Sequence, residues 1–290
     1  MKVAWKLSGK RTDSKASIVL IHGFGACKEH WRKNQSILGK VAPCYSIDLI
    51  GFGSSSQPYS NLTSKSIDKK SFSYNFDNWA LQIKNFCEEV ICQPVIIIGN
   101  SIGGVIALKA AKLLKDSCKN VILINCALRT MDDKRINEQS RLMQSTRPFL
   151  KLIVQQRWLS RNIFKSATNT NFIEKVLRKA YPSGNNIDEE LINMLYRPTQ
   201  RLGASEAFHG FINNFDDYLA PELMKDLNIP VDLIWGESDP WEPVVEAKQW
   251  ANSINCIRSL KVIKGKGHCP HDENPEIVNP ILIDLIQQAI

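Results

Sequence analysis

The chain has 290 residues, 43% hydrophobic and 23% charged, with 37 Lys+Arg against 29 Asp+Glu for a formal charge of +8. This composition excludes a disordered chain and fits one large α/β domain carrying an insertion, or two domains. The longest apolar runs, such as Val95–Ile98 and Val121–Ile124, are strand-length, far short of the roughly 18 residues that a spanning helix needs.

The opening Met1–Lys6 is basic but leads into no apolar stretch, so no secretory leader is expected. Val3–Leu7 is the first candidate strand. Ser17–His22 and Cys44–Leu49 read as buried strands, and the polar run from Ile50 to Ser71 as a surface loop. Phe76, Trp79, Ala80, Ile83, Cys87 and Val90 recur at helical spacing and mark an amphipathic helix. Pro94–Gly99 is a strand that leads directly into a helix over Ile102–Lys115, and Val121–Asn125 is a further strand. From Ala127 to Leu227 the pattern is helical, basic and aromatic-rich, without a convincing strand. Strand-like runs resume at Pro230–Trp235 and Leu260–Ile263, and a helix over Pro275–Ala289 ends the chain. Alternating strands and helices predict a mostly parallel sheet covered by helices. Residues 127–227 form a helical insertion, and 1–126 with 228–290 form the body. Eight scattered cysteines without a CxxC pair predict small buried hydrophobes in a reducing, cytoplasmic compartment.

Gly99-Asn100-Ser101-Ile102-Gly103 is a G-x-S-x-G between a strand and a helix, the setting of a nucleophile elbow. A sharp turn there raises the Ser101 hydroxyl above the sheet edge, with a helix N-terminus behind it to favour a developing oxyanion. His22-Gly23-Phe24-Gly25 follows an earlier strand, where such enzymes donate one amide to the oxyanion hole. Phe24 would supply that N–H and Ile102 the other, while His22 reads as a structural residue. Asp239 and His268 each fall a few residues beyond a strand, in the chain order Ser, Asp, His of this sheet topology. His268 would take the Ser101 proton and Asp239 would hold the imidazole. Glu237 and His271 are the neighbouring competitors, less well placed relative to their strands. Cys269, His271 and Asp272 lack zinc-site spacing, and no phosphate or dinucleotide loop follows a strand, so neither metal nor cofactor is expected. Cys27 reads as packing.

These motifs, together with Asp48-Leu49-Ile50-Gly51-Phe52-Gly53-Ser54-Ser55, make the chain resemble the α/β-hydrolase family over nearly its whole length. It is similar to the branch holding haloalkane dehalogenases, epoxide hydrolases and pheophytinase-like chlorophyll-derivative esterases. The first two use an Asp nucleophile where this chain has Ser101, which argues against both activities. Asn100 and Gly103-Gly104 also resemble carbon–carbon bond hydrolases. The resemblance implies a helical cap at 127–227 and a structural turn at Asp48 and Gly51. The family has two antiparallel strands before the oxyanion strand, and Val3–Leu7 is the single good candidate, so a sheet one strand short is expected.

The charge is local. Residues 129–179 hold 12 Lys+Arg and 4 Asp+Glu, and the remaining 25 basic and 25 acidic residues cancel. No nucleic-acid motif accompanies it. The segment Arg147–Trp158 mixes apolar and basic residues as an interfacial helix does, so contact with an anionic membrane is weighed against a solvated cap helix. The expectation is a serine hydrolase that cleaves a small apolar carboxylic ester. The rival readings are carbon–carbon bond hydrolysis by the same residues and a ligand-binding receptor with a vestigial triad.

Overall fold

The computed structural model describes residues 1–11, 15–62 and 71–290; the expected polar loop at Ile50–Ser71 therefore lies partly outside the described residues. The strands are β1 (Trp5–Ser8), β2 (Ser17–Ile21), β3 (Cys44–Ile47), β4 (Tyr59–Ser60), β5 (Ser71–Phe72), β6 (Val95–Asn100), β7 (Cys118–Ile124), β8 (Val231–Gly236) and β9 (Ile257–Ile263). Seven form one sheet in the order β1-β3-β2-β6-β7-β8-β9, and β4 pairs with β5 in a two-residue ribbon at the far end of the expected loop. Every pairing in the large sheet is parallel except β1 with β3. Among the described residues the sheet thus has a single antiparallel edge strand, as the N-terminal sequence implies.

Strand residues alternate between two apolar layers, because successive side chains point to opposite faces. Ile18, Leu20, Ile96, Ile98, Ile122 and Ile124 pack under Leu282 and Leu285 of α12 (Pro275–Gln287) and Leu38 of α1 (Gln35–Leu38). Val19, Ile21, Ile97 and Leu123 pack with Trp79 and Ile83 of α2 (Phe76–Phe86) and Val105 and Leu108 of α3 (Ile102–Leu114). Both faces being covered explains why these strands read as unbroken apolar runs. Helix α2 starts where the Asn75 side chain accepts the Asn78 amide, and ends in a π turn over Cys87–Ile91 that left-handed Cys92 terminates.

Between β7 and β8 the regular elements are helical: a 3-10 stretch at Asp133–Glu138, then α4 (Arg141–Val154), α5 (Arg157–Ala167), α6 (Thr170–Ala180), α7 (Glu189–Thr199), α8 (Ala204–Ile212) and α9 (Ala220–Met224). Ser140, Asn169 and Asp188 cap α4, α6 and α7 through their side chains. Leu223 and Met224 of α9 join the core beside α3. Helices α10 (Val244–Ser253) and α11 (Pro270–Glu273) follow β8 and β9. Among the described residues no helix is long and apolar enough to cross a membrane.

Candidate active site

Strand β6 lies at the centre of the sheet, and its chain turns into α3 at Ser101, whose φ of 55° and ψ of −124° fall outside the ordinary wells for a side-chain-bearing residue. The surroundings over-determine this conformation. The Ser101 amide donates to Ile124 O at 3.1 Å, and its carbonyl accepts from Gly104 at 2.9 Å and Ala127 at 3.1 Å. The flanking glycines allow the close approach: a Cβ on Gly99 would sit 2.2 Å from Gly103 O, and one on Gly103 would sit 2.5 Å from Ile21 O. The Gly23 turn lies directly against the serine, for a Cβ there would come within 3.1 Å of Ser101 Cβ.

Beyond β8 and β9, on the same edge of the parallel sheet, His268 Nδ1 donates to Asp239 Oδ2 at 2.7 Å. That bond leaves Nε2 as the proton-accepting nitrogen, and His268 and Ser101 line the same cavity. Burial alone would raise the Asp239 carboxyl, but hydrogen bonds from His268, the Trp241 amide and Asn125 hold it below the usual range. The competitors lie elsewhere. Glu237 is exposed and accepts from the Gly265 amide at 3.2 Å, and His271 is fully buried, its ring tilted 36° to Trp31 with the centroids 4.4 Å apart.

Two residues of this cluster escape the motif reading. Asn125, left-handed at φ 43°, donates from Nδ2 to Asp239 Oδ2 at 2.6 Å and accepts the Gly236 amide at 2.9 Å. Glu242 lines the cavity and accepts the Leu128 amide at 2.9 Å; burial pushes its carboxyl up to about 7. The signal in the sequence was slight: Asn125 closes a strand ahead of the insertion, and Glu242 follows Asp239 by three residues.

The Phe24 amide finds no backbone acceptor among the described residues, and Ile102 opens α3, where a helix leaves its amides free. The Phe24 ring stacks on Phe211 at 4.2 Å and lines the cavity. His22 is wholly buried: its Nε2 accepts the Leu49 amide at 3.1 Å, so Nδ1 carries the hydrogen that meets Gly23 O at 2.8 Å. Burial lowers its pKa, in keeping with a neutral structural ring. Asp48 is likewise structural, accepting from the Lys28 amide, Lys28 Nζ and the Ser54 amide.

The cavity measures about 840 Å³ and is walled chiefly by apolar groups, among them Phe164, Phe172, Leu177, Leu195 and Phe208 from α5 to α8. Helix α6 ends on the histidine loop: Ala180 O accepts the His268 amide at 2.8 Å, and Tyr181 Oη meets His30 Nε2 at 2.8 Å and Asp272 Oδ2 at 3.1 Å. For a metal, Cys27, Glu29 and Asp48 bring ligand atoms together. Lys28 Nζ already pairs with both carboxylates, 2.6 Å from Glu29 and 3.0 Å from Asp48, and burial pushes the Cys27 thiol up.

Comparison with known proteins places this geometry in context. The sequence profile described as alpha/beta hydrolase fold matches residues 16–275. A chloroplastic pheophytinase of Arabidopsis thaliana is 25% identical, with 97% of this chain and 63% of that protein covered. The chain thus spans just under two thirds of that plant relative. The uncharacterized hydrolase YugF of Bacillus subtilis is 28% identical over 93% of this chain and 90% of its own. A thermophilic esterase from Thermogutta terrifontis has a similar fold, with a TM-score of 0.72 at 20% identity, covering 99% of this chain and 93% of the other.

Proposed function

The chain belongs to the α/β-hydrolase fold family and is a hydrolase of that type, and we propose that it cleaves a lipophilic carboxylic ester through an acyl-enzyme on Ser101. The observation that carries this reading is one cavity wall holding the strained Ser101 and His268, whose far nitrogen is bonded to the buried Asp239. His268 Nε2 takes the Ser101 proton as Oγ attacks the ester carbonyl, and the Phe24 and Ile102 amides receive the negative charge that builds on its oxygen. The imidazolium, stabilised by Asp239, returns the proton to the leaving alcohol. Water then repeats the sequence on the acyl-enzyme, releasing the acid and restoring Ser101. The apolar wall built by α5 to α8 supports a lipophilic acyl or alcohol group, and pheophytinase among the relatives agrees with that choice.

p-Nitrophenyl esters of increasing acyl length test the reading. kcat/KM is expected to rise roughly fourfold per methylene while the chain still fills the cavity, at ~0.8 kcal/mol per buried CH₂. Ser101→Ala is expected to remove at least about a thousandfold of the activity. Ligand-induced stabilisation without turnover would instead support a receptor, and full activity in Ser101→Ala would refute the site.

A further inference from the structure

Between Arg141 and Lys179, helices α4 to α6 carry nine Lys or Arg and one acidic residue, Glu174. Part of that charge is used internally. Arg147 and Lys151 pair with Asp133, Arg157 and Arg161 with Glu206, and Arg178 with Glu174. Arg141, Lys165, Lys175 and Lys179 are exposed and make no ion pair among the described residues.

The exposed sides of these helices are also apolar. On α4, Leu142, Phe149 and Leu152 fall on one stripe and are 61–74% exposed, and Trp158 at the start of α5 is 65% exposed. On α6, Phe172, Lys175, Val176 and Lys179 lie within roughly 100° of arc at 3.6 residues per turn, so apolar and cationic groups share one exposed stripe. Large side chains grouped in this way mark a surface that is covered in use. Lysine stems lie along apolar surface while their ammonium groups reach outward, the pattern of a helix lying in a bilayer interface.

Ile163, Phe172 and Val176 belong to both descriptions. They line the cavity and are also exposed, which puts a mouth of the cavity between α5 and α6, beside Lys175 and Lys179 of α6. We infer that the exposed face of α4 to α6 docks on an anionic lipid bilayer and sets this mouth against the membrane, so that an apolar substrate passes from lipid to cavity without crossing water. A soluble polyanion would satisfy the cations but leave Leu142, Phe149, Leu152 and Trp158 in water; the bilayer engages both. Docking makes no use of the hydroxyl of Ser101, so it stands or falls separately from the hydrolytic reading.

The test is co-sedimentation of the full chain with phosphatidylcholine vesicles with and without phosphatidylglycerol, at low and high salt. Binding is expected to the anionic vesicles, weaker in high salt, and equal for Ser101→Ala. Lys165→Ala/Lys175→Ala/Lys179→Ala is expected to lower partitioning about a hundredfold with an unchanged circular dichroism spectrum. Phe149→Ser/Leu152→Ser is expected to lower it as well. The inference is overturned if anionic vesicles do not sediment the protein, or if the triple-lysine variant binds as the parent does. It is equally overturned if heparin binds as tightly as vesicles while Phe149→Ser/Leu152→Ser retains full binding, which would assign the patch to a polyanion.

Discussion

Asp239 accepts from Asn125 at 2.6 Å as well as from His268, and the Trp241 and Glu242 amides, at 2.9 and 3.1 Å, fix its other oxygen. Asn125 also receives the Gly236 amide, so it ties the end of β7 to the end of β8. Asn125→Ala leaves a buried amide unpaired and frees one side of the carboxylate, and kcat is expected to fall about tenfold to a hundredfold with KM little changed. Steady-state kinetics on a short ester checks this. Ser101, Asp239 and His268 were legible because each sits in a short Gly-rich signature beyond a strand. Asn125 was not, because its partner lies 114 residues away and no local spacing records a contact made by folding.

At the level of elements, the C-terminus of α6 and the loop bearing His268 behave as one joint. Ala180 O holds the His268 amide, and a Cβ on Gly267 would come within 2.1 Å of that oxygen. Buried Glu273 of α11 accepts the Gly267 amide at 2.7 Å on one oxygen and the Ser183 amide at 3.0 Å on the other. Insertion and histidine loop therefore share a carboxylate. Glu273→Ala strands the buried Gly267 amide, and a loss of about 1–3 kcal/mol of stability is expected in urea unfolding. Glu273→Gln, which retains the carbonyl acceptor, is expected to recover part of that loss. The central strands could be read from their apolar runs because both faces are covered. The start of β9 at Ile257 rather than Leu260 was hidden, since an edge strand with the pattern Ile257-Arg258-Ser259 alternates and lacks such a run. The joint itself left no sequence signal, because Ala180 contributes only a backbone carbonyl.

Over the whole molecule, the excess charge was legible from residue counts, whereas which cations are free needed the ion pairs. The histidines behave in the opposite way, for their burial could not be read from their neighbours in sequence. His22, His30, His209 and His271 are buried, and burial lowers all four, His30 to about 4. Neither ring nitrogen of His271 has a protein partner among the described residues, and His30 lies 5.0 Å away, so protonating either ring opposes the other. A histidine kept neutral in the fold but free to protonate near pH 6.5 when unfolded gives stability that is present above 6.5. That stability is lost as pH falls, at ~1.4 kcal/mol per pH unit for each group. Glu242 has the reverse sign: raised to about 7, it binds its proton in the folded state first and offsets one histidine between pH 7 and its unfolded value of 4.5. Four groups against one leave a net loss of stability, and with it a lower Tm, as pH falls from 7 to 5. The carboxylates held low by their partners, Asp239 among them, add their loss only below that window. Calorimetry at pH 7, 6 and 5 is expected to show this fall. In His271→Phe, which keeps an aromatic ring against Trp31 and removes one of the four groups, the fall is expected to be smaller. A Tm that stays constant from pH 7 to 5 would mean that the buried rings accept protons in the folded state.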